Sequence, residues 1–319
     1  MCTYNGEKYI AEQLESLLNQ TLPPDEIIIC DDRSQDKTIE IVRSFADEWD
    51  GKIKLTVNPE NLGFVKNFEK AISLCTGDII FLCDQDDVWD LNKIKDITNV
   101  FTEQKGTVLI FHDAEVVDEI LGIIYKSFWK LMRFDYSHFN KNESKYLSSA
   151  TFVQGSACAF KKVLFEYARP IPEAAYHDEW LALVAITVGK VVPYPKCLLK
   201  YRQSAGNALG VNVSLCIKIK QWFLNSRVKS KQILTELKRR SRVLEIYIQR
   251  YLNNDDEKKY SFEEAYEFLK IRINCIKDKN FKLFKYLPLY FTILPFKPTR
   301  CMQIFVSDIL GVVFGSREE

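Results

Sequence analysis

Asp84-Gln85-Asp86-Asp87-Val88-Trp89 comes directly after the apolar run Asp78-Ile79-Ile80-Phe81-Leu82-Cys83. A short apolar run ending at three carboxylates reads as a buried strand that stops at a polar crevice. In an open α/β sheet, ligands bind beyond the carboxyl ends of the strands. Carboxylates crowded there repel one another unless a cation or a hydrogen-bonded ligand offsets them. Asp-x-Asp at a strand end is therefore a natural seat for Mg2+ or Mn2+, which prefer oxygen ligands and share them with phosphates. The simpler reading is a polar strand-to-helix turn whose Asp side chains cap the next helix.

Upstream, strand-like and helix-like segments alternate. Glu7 to Gln20 sets Ile10, Leu14, Leu17 and Leu18 on one helical face. Glu26 to Cys30 is a short buried strand stopping at Asp31-Asp32, and Ser34 or Asp36 can cap a helix running to about Asp47. Ile53 to Val57 is a strand, and Gly63 to Leu74 is a helix with Phe64, Phe68, Ala71 and Ile72 on its apolar face. Beyond Trp89 come a helix over about 91–103 and the strand Thr107 to Phe111. This order implies a doubly wound, mainly parallel sheet flanked by helices. Such a sheet carries an apolar strand before its first loop, of which Met1 and Cys2 stand here, so a shortened first strand is expected. A version extended by several apolar residues should then melt higher.

Further along, Phe152 to Ala157 is a strand or loop, and His177-Asp178-Glu179-Trp180 opens an apolar helix ending near Gly189. Val191 to Tyr201 supplies one or two strands broken by Pro193 and Pro195. Helices are expected over 212–252 and 260–278, with an aromatic end from Phe281 to Phe314. The net charge of +1 hides an asymmetry: residues 1–210 carry 23 Lys and Arg against 31 Asp and Glu, and residues 211–319 carry 21 against 12. An acidic front and a basic tail point to two surfaces with different partners. Nine scattered cysteines without a Cys-x-x-Cys pair fit a reducing cytosol and speak against a disulfide framework or zinc site. No signal peptide is visible, and no stretch has the roughly 18–20 apolar residues that span a bilayer.

Several ordered motifs resemble family-2 glycosyltransferases: Cys2-Thr3-Tyr4-Asn5-Gly6, Ser16 to Gln20, Ile27 to Thr38, and Asn58 to Gly63. Asp84 to Trp89 with Lys93-Ile94, His177 to Leu181, and Tyr201-Arg202-Gln203 are similar to the branch holding bacterial rhamnosyltransferases. The resemblance spans about residues 2–210. It implies a GT-A fold in residues 1–210, Rossmann-like, with residues 211–319 as a basic, aromatic helical region. It also implies a nucleotide-sugar donor, Mg2+ or Mn2+, and inversion at the anomeric carbon.

On that resemblance, Thr3, Tyr4, Asn5 and Glu7 border the nucleotide, and Asp32 accepts the pyrimidine imide N–H, a match suited to an ionised carboxylate. The alternative for Asp31-Asp32 is an Asx turn. Arg33 approaches the base or diphosphate, or is a solvated loop arginine. Asp84 is a ribose or metal contact, Asp86 the cation ligand, and Asp87 a supporting or capping residue. Gly155 and Ser156 line the donor or acceptor, and Trp89 is core. Asp178 is the expected base, ionised at neutral pH from an unperturbed pKa of about 3.9; its bland reading is a helix-start residue. His177 is expected to be an orienting or satisfied residue. Relatives commonly carry a His after Tyr-Arg-Gln where this chain has Ser204, which weakens the metal site unless Arg202 substitutes.

The expectation is an inverting, metal-dependent enzyme transferring L-rhamnose from dTDP-rhamnose to a saccharide or lipid-linked acceptor in bacterial cell-surface polysaccharide assembly. UDP-hexose donors remain the alternative. Basic, aromatic helices in the tail favour peripheral contact with anionic lipid at the inner face of the cytoplasmic membrane. No nucleic-acid motif accompanies the charge. A nucleotidyltransferase would need a Gly-rich triphosphate loop that is not evident. A non-catalytic nucleotide-sugar-binding module is the remaining rival.

Overall fold

A computed structural model of the chain describes residues 1–49, 51–149, 152–203, 226–253, 257–294 and 298–314. They fall into two compact units. The first, residues 1–140 with 152–203, holds every strand among the described residues. Its opening runs β1 (Cys2–Thr3), α1 (Ile10–Leu18), β2 (Ile27–Asp31), α2 (Thr38–Glu48), β3 (Ile53–Val57) and α3 (Phe64–Leu74). Then come β4 (Ile79–Phe81), β5 (Val88–Trp89), α4 (Lys93–Glu103), β6 (Thr107–Val117), β7 (Ile123–Tyr125) and α5 (Phe128–Met132). After α6 (Glu143–Ser149), which belongs to the second unit, β8 (Cys158–Lys161), α7 (Lys162–Ala168), α8 (His177–Val188) and β9 (Lys190–Arg202) complete the first.

Two sheets result. The front sheet is parallel in the order β1-β2-β3, with Ile27 opposite Ile53 and Asp31 opposite Val57. All five residues of β2 are buried, as its unbroken apolar run demands. β1 pairs only Cys2 with Cys30 and Thr3 with Asp31, and the Met1 ammonium donates to the Ile28 carbonyl at 2.8 Å. A cavity of about 370 Å³ opens alongside, lined by Met1, Ile28, Ile80 and Trp89 among others.

The second sheet runs β4-β8-β6-β9-β5, with β7 paired to β6. Only β6 and β9 are parallel; β4 and β6 flank β8 antiparallel, and β5 runs antiparallel to β9. β9 is continuous through both prolines. Tyr194 pairs with His112 and Cys197 with Asp113, so Pro195 and Lys196 bulge out of the ladder. One face packs on α4, where Ile97, Val100 and Phe101 meet Ile110, Ala159, Val192 and Leu198. Each buried Ile, Val, Leu or Phe among them contributes about 1.5–3 kcal/mol relative to exposure. α8 buries nine of its twelve residues, so its apolar-all-round sequence is that of an interior helix.

The second unit is helical: α6, α9 (Ser226–Tyr251), α10 (Glu257–Lys277), α11 (Leu287–Thr292) and α12 (Pro298–Phe314). Its polar interior is closed. Asp308 accepts from Arg272 Nε at 2.6 Å and from the Tyr290 hydroxyl. Three of the expected basic side chains are committed: Arg239 pairs with Glu236, Arg242 with Glu245, and buried Arg240 donates to the Ser148 carbonyl at 3.2 Å. Residues 212–225 and Ser204 lie outside the described residues.

Candidate active site

The carboxyl ends of β1, β2 and β4 carry the loops singled out above. At β2 the two consecutive aspartates divide the work. Asp31 makes the local turn, accepting from Ser34 N at 2.7 Å, Ser34 Oγ at 2.6 Å and Thr3 Oγ1 at 2.7 Å. Asp32 instead reaches the next loop, taking Asn58 Nδ2 and Leu62 N at 2.8 Å and Gly63 N at 2.9 Å. Gly63 has φ +77°, a left-handed conformation that glycine adopts without a Cβ clash. Three of the roughly four acceptor positions of the Asp32 carboxylate are thereby occupied, leaving one on Oδ2.

Tyr4 lies half exposed, and its backbone is read by Gln85: Tyr4 N donates to Gln85 Oε1 at 2.9 Å, and Gln85 Nε2 donates to the Tyr4 carbonyl at 3.0 Å. Gln85 thus ties the first loop to the carboxylate loop. Asn5 and Glu7 engage the loop after β2: Gln35 N donates to Asn5 Oδ1 at 2.8 Å, and Lys37 N to Glu7 Oε2 at 3.0 Å. Arg33 is exposed with φ +69°. Thr3 is buried. Asn5 and Glu7 direct their side chains to the loop after β2, and Arg33 lies at the surface.

Asp84, Asp86 and Asp87 come together with Ser156, His177, Asp178 and Arg202. Burial pushes the Asp84 and Asp87 carboxyls up, as does their negative neighbourhood. Asp86 is likewise raised, first by burial and then by Asp84. Asp87 Oδ1 accepts from Arg202 N at 3.0 Å, while its Oδ2 is buried without a protein partner. Crowded, desolvated carboxylates of this kind fit a divalent cation, which lowers the cost of keeping them ionised. Among the described residues no group of three or more His, Cys, Asp or Glu side chains is disposed around a metal position.

Beside this cluster lies the start of α8, whose His177 and Asp178 both act electrostatically on Asp84. Burial pushes the Asp178 carboxyl up to about 6, against hydrogen bonds from the Glu179 and Gly155 backbone. Glu179 N donates to Asp178 Oδ1 at 2.8 Å. A Cβ on Gly155 would lie 3.0 Å from His177 Nε2 and 3.6 Å from Asp178 Oδ2, so the turn Gly155–Ala157 passes closely by the carboxylate. The His177 ring stacks on Phe68 at 4.0 Å and is held neutral, its pKa lowered to about 4 by burial. Both its ring nitrogens are buried without a hydrogen-bond partner, so of the orienting or satisfied His expected from sequence the satisfied form is not what the structure has.

Lys93 enters the sequence reading only as part of a motif, with no task assigned. It is fully buried, donates to the Ser156 carbonyl at 2.5 Å and lies 3.6 Å over the Trp89 ring. Burial lowers its pKa to about 7. The signal was legible: Lys93 occupies the apolar stripe of α4 with Ile97 and Val100, where a buried charge must have a partner. Trp89 is core as expected, packed against Phe81 at 5.9 Å.

The family model for glycosyl transferase family 2 matches residues 1–167. The chain belongs to glycosyl transferase family 2. An uncharacterized glycosyltransferase of Haemophilus influenzae is 26% identical over 210 residues, 63% of this chain and 64% of that protein. The dTDP-rhamnosyl transferase RfbG of Shigella flexneri is 28% identical over 232 residues, 69% of this chain and 77% of its own. In fold, the chain is similar to Staphylococcus aureus TarS 1-349 in complex with UDP-GlcNAc, with TM-score 0.58 and 15% identity over 98% of this chain and 87% of that one. It is also similar to the mannosyltransferase PcManGT from Pyrobaculum calidifontis in complex with GDP-Man and Mn2+, with TM-score 0.54 and 14% identity over 98% and 84%. These likenesses establish the family-2 GT-A fold expected from sequence.

Proposed function

We propose that this family-2 chain is an inverting, cation-dependent glycosyltransferase, with Asp178 as base and Asp84 and Asp86 as the cation's protein ligands. The observation that carries the reading is a carboxylate cluster beyond β4 that the Asp178 carboxylate at the start of α8 adjoins within one unit. The diphosphate of a nucleotide sugar, with its cation, balances that cluster. A divalent cation held there by Asp84 and Asp86 would offset the charge that builds on the departing diphosphate.

The protein groups do the rest. The Thr3–Glu7 loop, Arg33 and the remaining Asp32 acceptor position face the nucleotide, and Gly155 and Ser156 line the sugar. Asp178, with its pKa near 6, is ionised at neutral pH yet more basic than an ordinary aspartate, which improves it as acceptor of the incoming hydroxyl's proton. Neutral His177 beside it leaves that carboxylate unpaired with a fixed cation. Holding acceptor and anomeric carbon in line contributes further acceleration.

dTDP-L-rhamnose is the donor we favour, since RfbG, a dTDP-rhamnosyl transferase, matches across 69% of the chain. The acceptor is a saccharide or lipid-linked saccharide of bacterial cell-surface polysaccharide assembly, met at the inner face of the cytoplasmic membrane. Among the described residues no helix is long and apolar enough to cross a membrane. Support for peripheral contact lies in the 3-10 turn Phe281–Tyr286: Phe281 and Phe284 are exposed, each with an exposed lysine after it, Lys282 and Lys285, while Leu283 anchors the turn. Exposed aromatic and basic side chains in alternation suit an anionic interface.

The test is transfer of labelled sugar from dTDP-rhamnose, UDP-hexoses and GDP-mannose to bacterial lipid extract, with the anomeric configuration of the product determined. Inverted rhamnosyl product supports the proposal. Selective use of a UDP-hexose replaces the donor, a retained configuration removes the mechanism, and donor binding without any transfer favours a non-catalytic module.

A further inference from the structure

We infer that Arg202 is a positioning residue that holds Asp86 in its cation-binding orientation. This rests on the cation reading above but assigns Arg202 a task different from contacting the phosphates. The guanidinium is 2% exposed and almost fully committed to protein. Nε donates to the Asp86 carbonyl at 2.7 Å, one terminal nitrogen to the Glu119 carbonyl at 2.5 Å, and the other to the Glu12 carboxylate. Its plane lies 4.4 Å over the Tyr9 ring. The Arg202 backbone N–H donates to Asp87 Oδ1 at 3.0 Å.

One residue at the end of β9 therefore grips two consecutive members of the carboxylate loop, one through its backbone and one through its side chain. Glu12 on α1 and Glu119 after β6 fix the guanidinium from the other side. The planar, forked donor set allows these bonds to be made together, which a lysine ammonium on a flexible stem cannot reproduce. Outer-shell partners of metal ligands typically hold about 10–100-fold of metal affinity. The fixed carbonyl of Asp86 sets where its side chain leaves the loop, and so where its carboxylate meets a cation shared with the diphosphate.

Mn2+ uptake in the presence of dTDP, read from the electron paramagnetic resonance signal of free Mn2+, tests this directly. Arg202→Lys should bind Mn2+ about tenfold more weakly and Arg202→Ala up to about 100-fold, with cation-free dTDP binding unchanged. Glu12→Gln is the second variant, because Glu12 is 45% exposed on its helix and its amide preserves shape; a weaker loss in the same direction is expected. Melting temperatures measured alongside identify any variant that fails to fold. Wild-type Mn2+ affinity in folded Arg202→Lys and Glu12→Gln overturns the inference. Absence of Mn2+ uptake by the unaltered chain with dTDP, UDP and GDP alike overturns the cation reading itself.

Discussion

Replacing Asp178 by Asn should make the protein more stable and nearly inactive. The carboxyl titrates near 6 in the fold against an ordinary 3.8, because burial disfavours its charge. A folded pKa above the unfolded one favours folding fully only below pH 3.8, and that advantage fades as pH rises to about 6. Above that, the ionised form costs the fold up to about 3 kcal/mol at 1.36 kcal/mol per pKa unit; because Asp178 is only partly buried by surface area, about 1–2 kcal/mol is the reasonable expectation. Asn keeps the acceptor for Glu179 N and removes the charge. Its stability gain should be absent near pH 4, grow to about pH 6 and stay level beyond. Loss of the base should lower turnover about 10²–10⁴-fold with donor affinity retained. Thermal melts from pH 4 to 8, a donor titration and the transfer assay read all three quantities. In wild type, turnover should rise with pH through about 6. Turnover retained within tenfold in Asp178→Asn, or a stability gain independent of pH, would refute the reasoning.

The geometry sets two other outcomes. Gly155→Ala places a Cβ 3.0 Å from His177 Nε2 and 3.6 Å from Asp178 Oδ2, so the imidazole must shift by a few tenths of an ångström; turnover should fall about tenfold with donor affinity preserved, as read by steady-state kinetics and dTDP titration. The Phe281→Ser, Phe284→Ser double variant should bind phosphatidylglycerol vesicles at least about tenfold less than wild type while phosphatidylcholine vesicles bind neither protein; co-sedimentation checks it, and equal binding by both proteins removes the turn as the contact.

The fold was legible where sequence pattern and burial agree. The unbroken run Ile27–Cys30 and the spacing of Phe64, Phe68, Ala71 and Ile72 mark β2 and α3, where Phe68, Ala71, Ile72 and the whole β2 run are buried. β6 extends six residues past the expected Phe111, since His112, Asp113 and Glu115 look like loop residues. Asp113 is nevertheless buried with its charge satisfied by Ala114 N, Trp129 N and Ser127 Oγ. A propensity reading has no access to such partners. The antiparallel course of β4 and β5 was likewise hidden, because their partners β8 and β9 lie far along the chain.

The site divides the same way. Asp84, Asp86 and Asp178 announce themselves by residue type and place, and the structure brings their neighbourhoods together. The duties of Lys93 and Arg202 depend on bonds reaching 63 and 116 residues along the chain. Asp32 illustrates a third case, a residue whose type suggested a ligand contact and which also holds the Asn58–Gly63 loop. Arg202, which sequence offered as a partial substitute for the His against the alternative of a weaker metal site, donates to protein acceptors.

The central claim is that a cation shared by Asp86 and a nucleotide diphosphate drives departure of that diphosphate. Its most direct test is release of nucleoside diphosphate from dTDP-, UDP- and GDP-sugars, with Mg2+ or Mn2+ and with chelator, in wild type and Asp86→Asn. The account predicts release from one donor class that stops with chelator and falls at least about 100-fold in the variant. Release that persists with chelator, or unchanged release in Asp86→Asn, would contradict it.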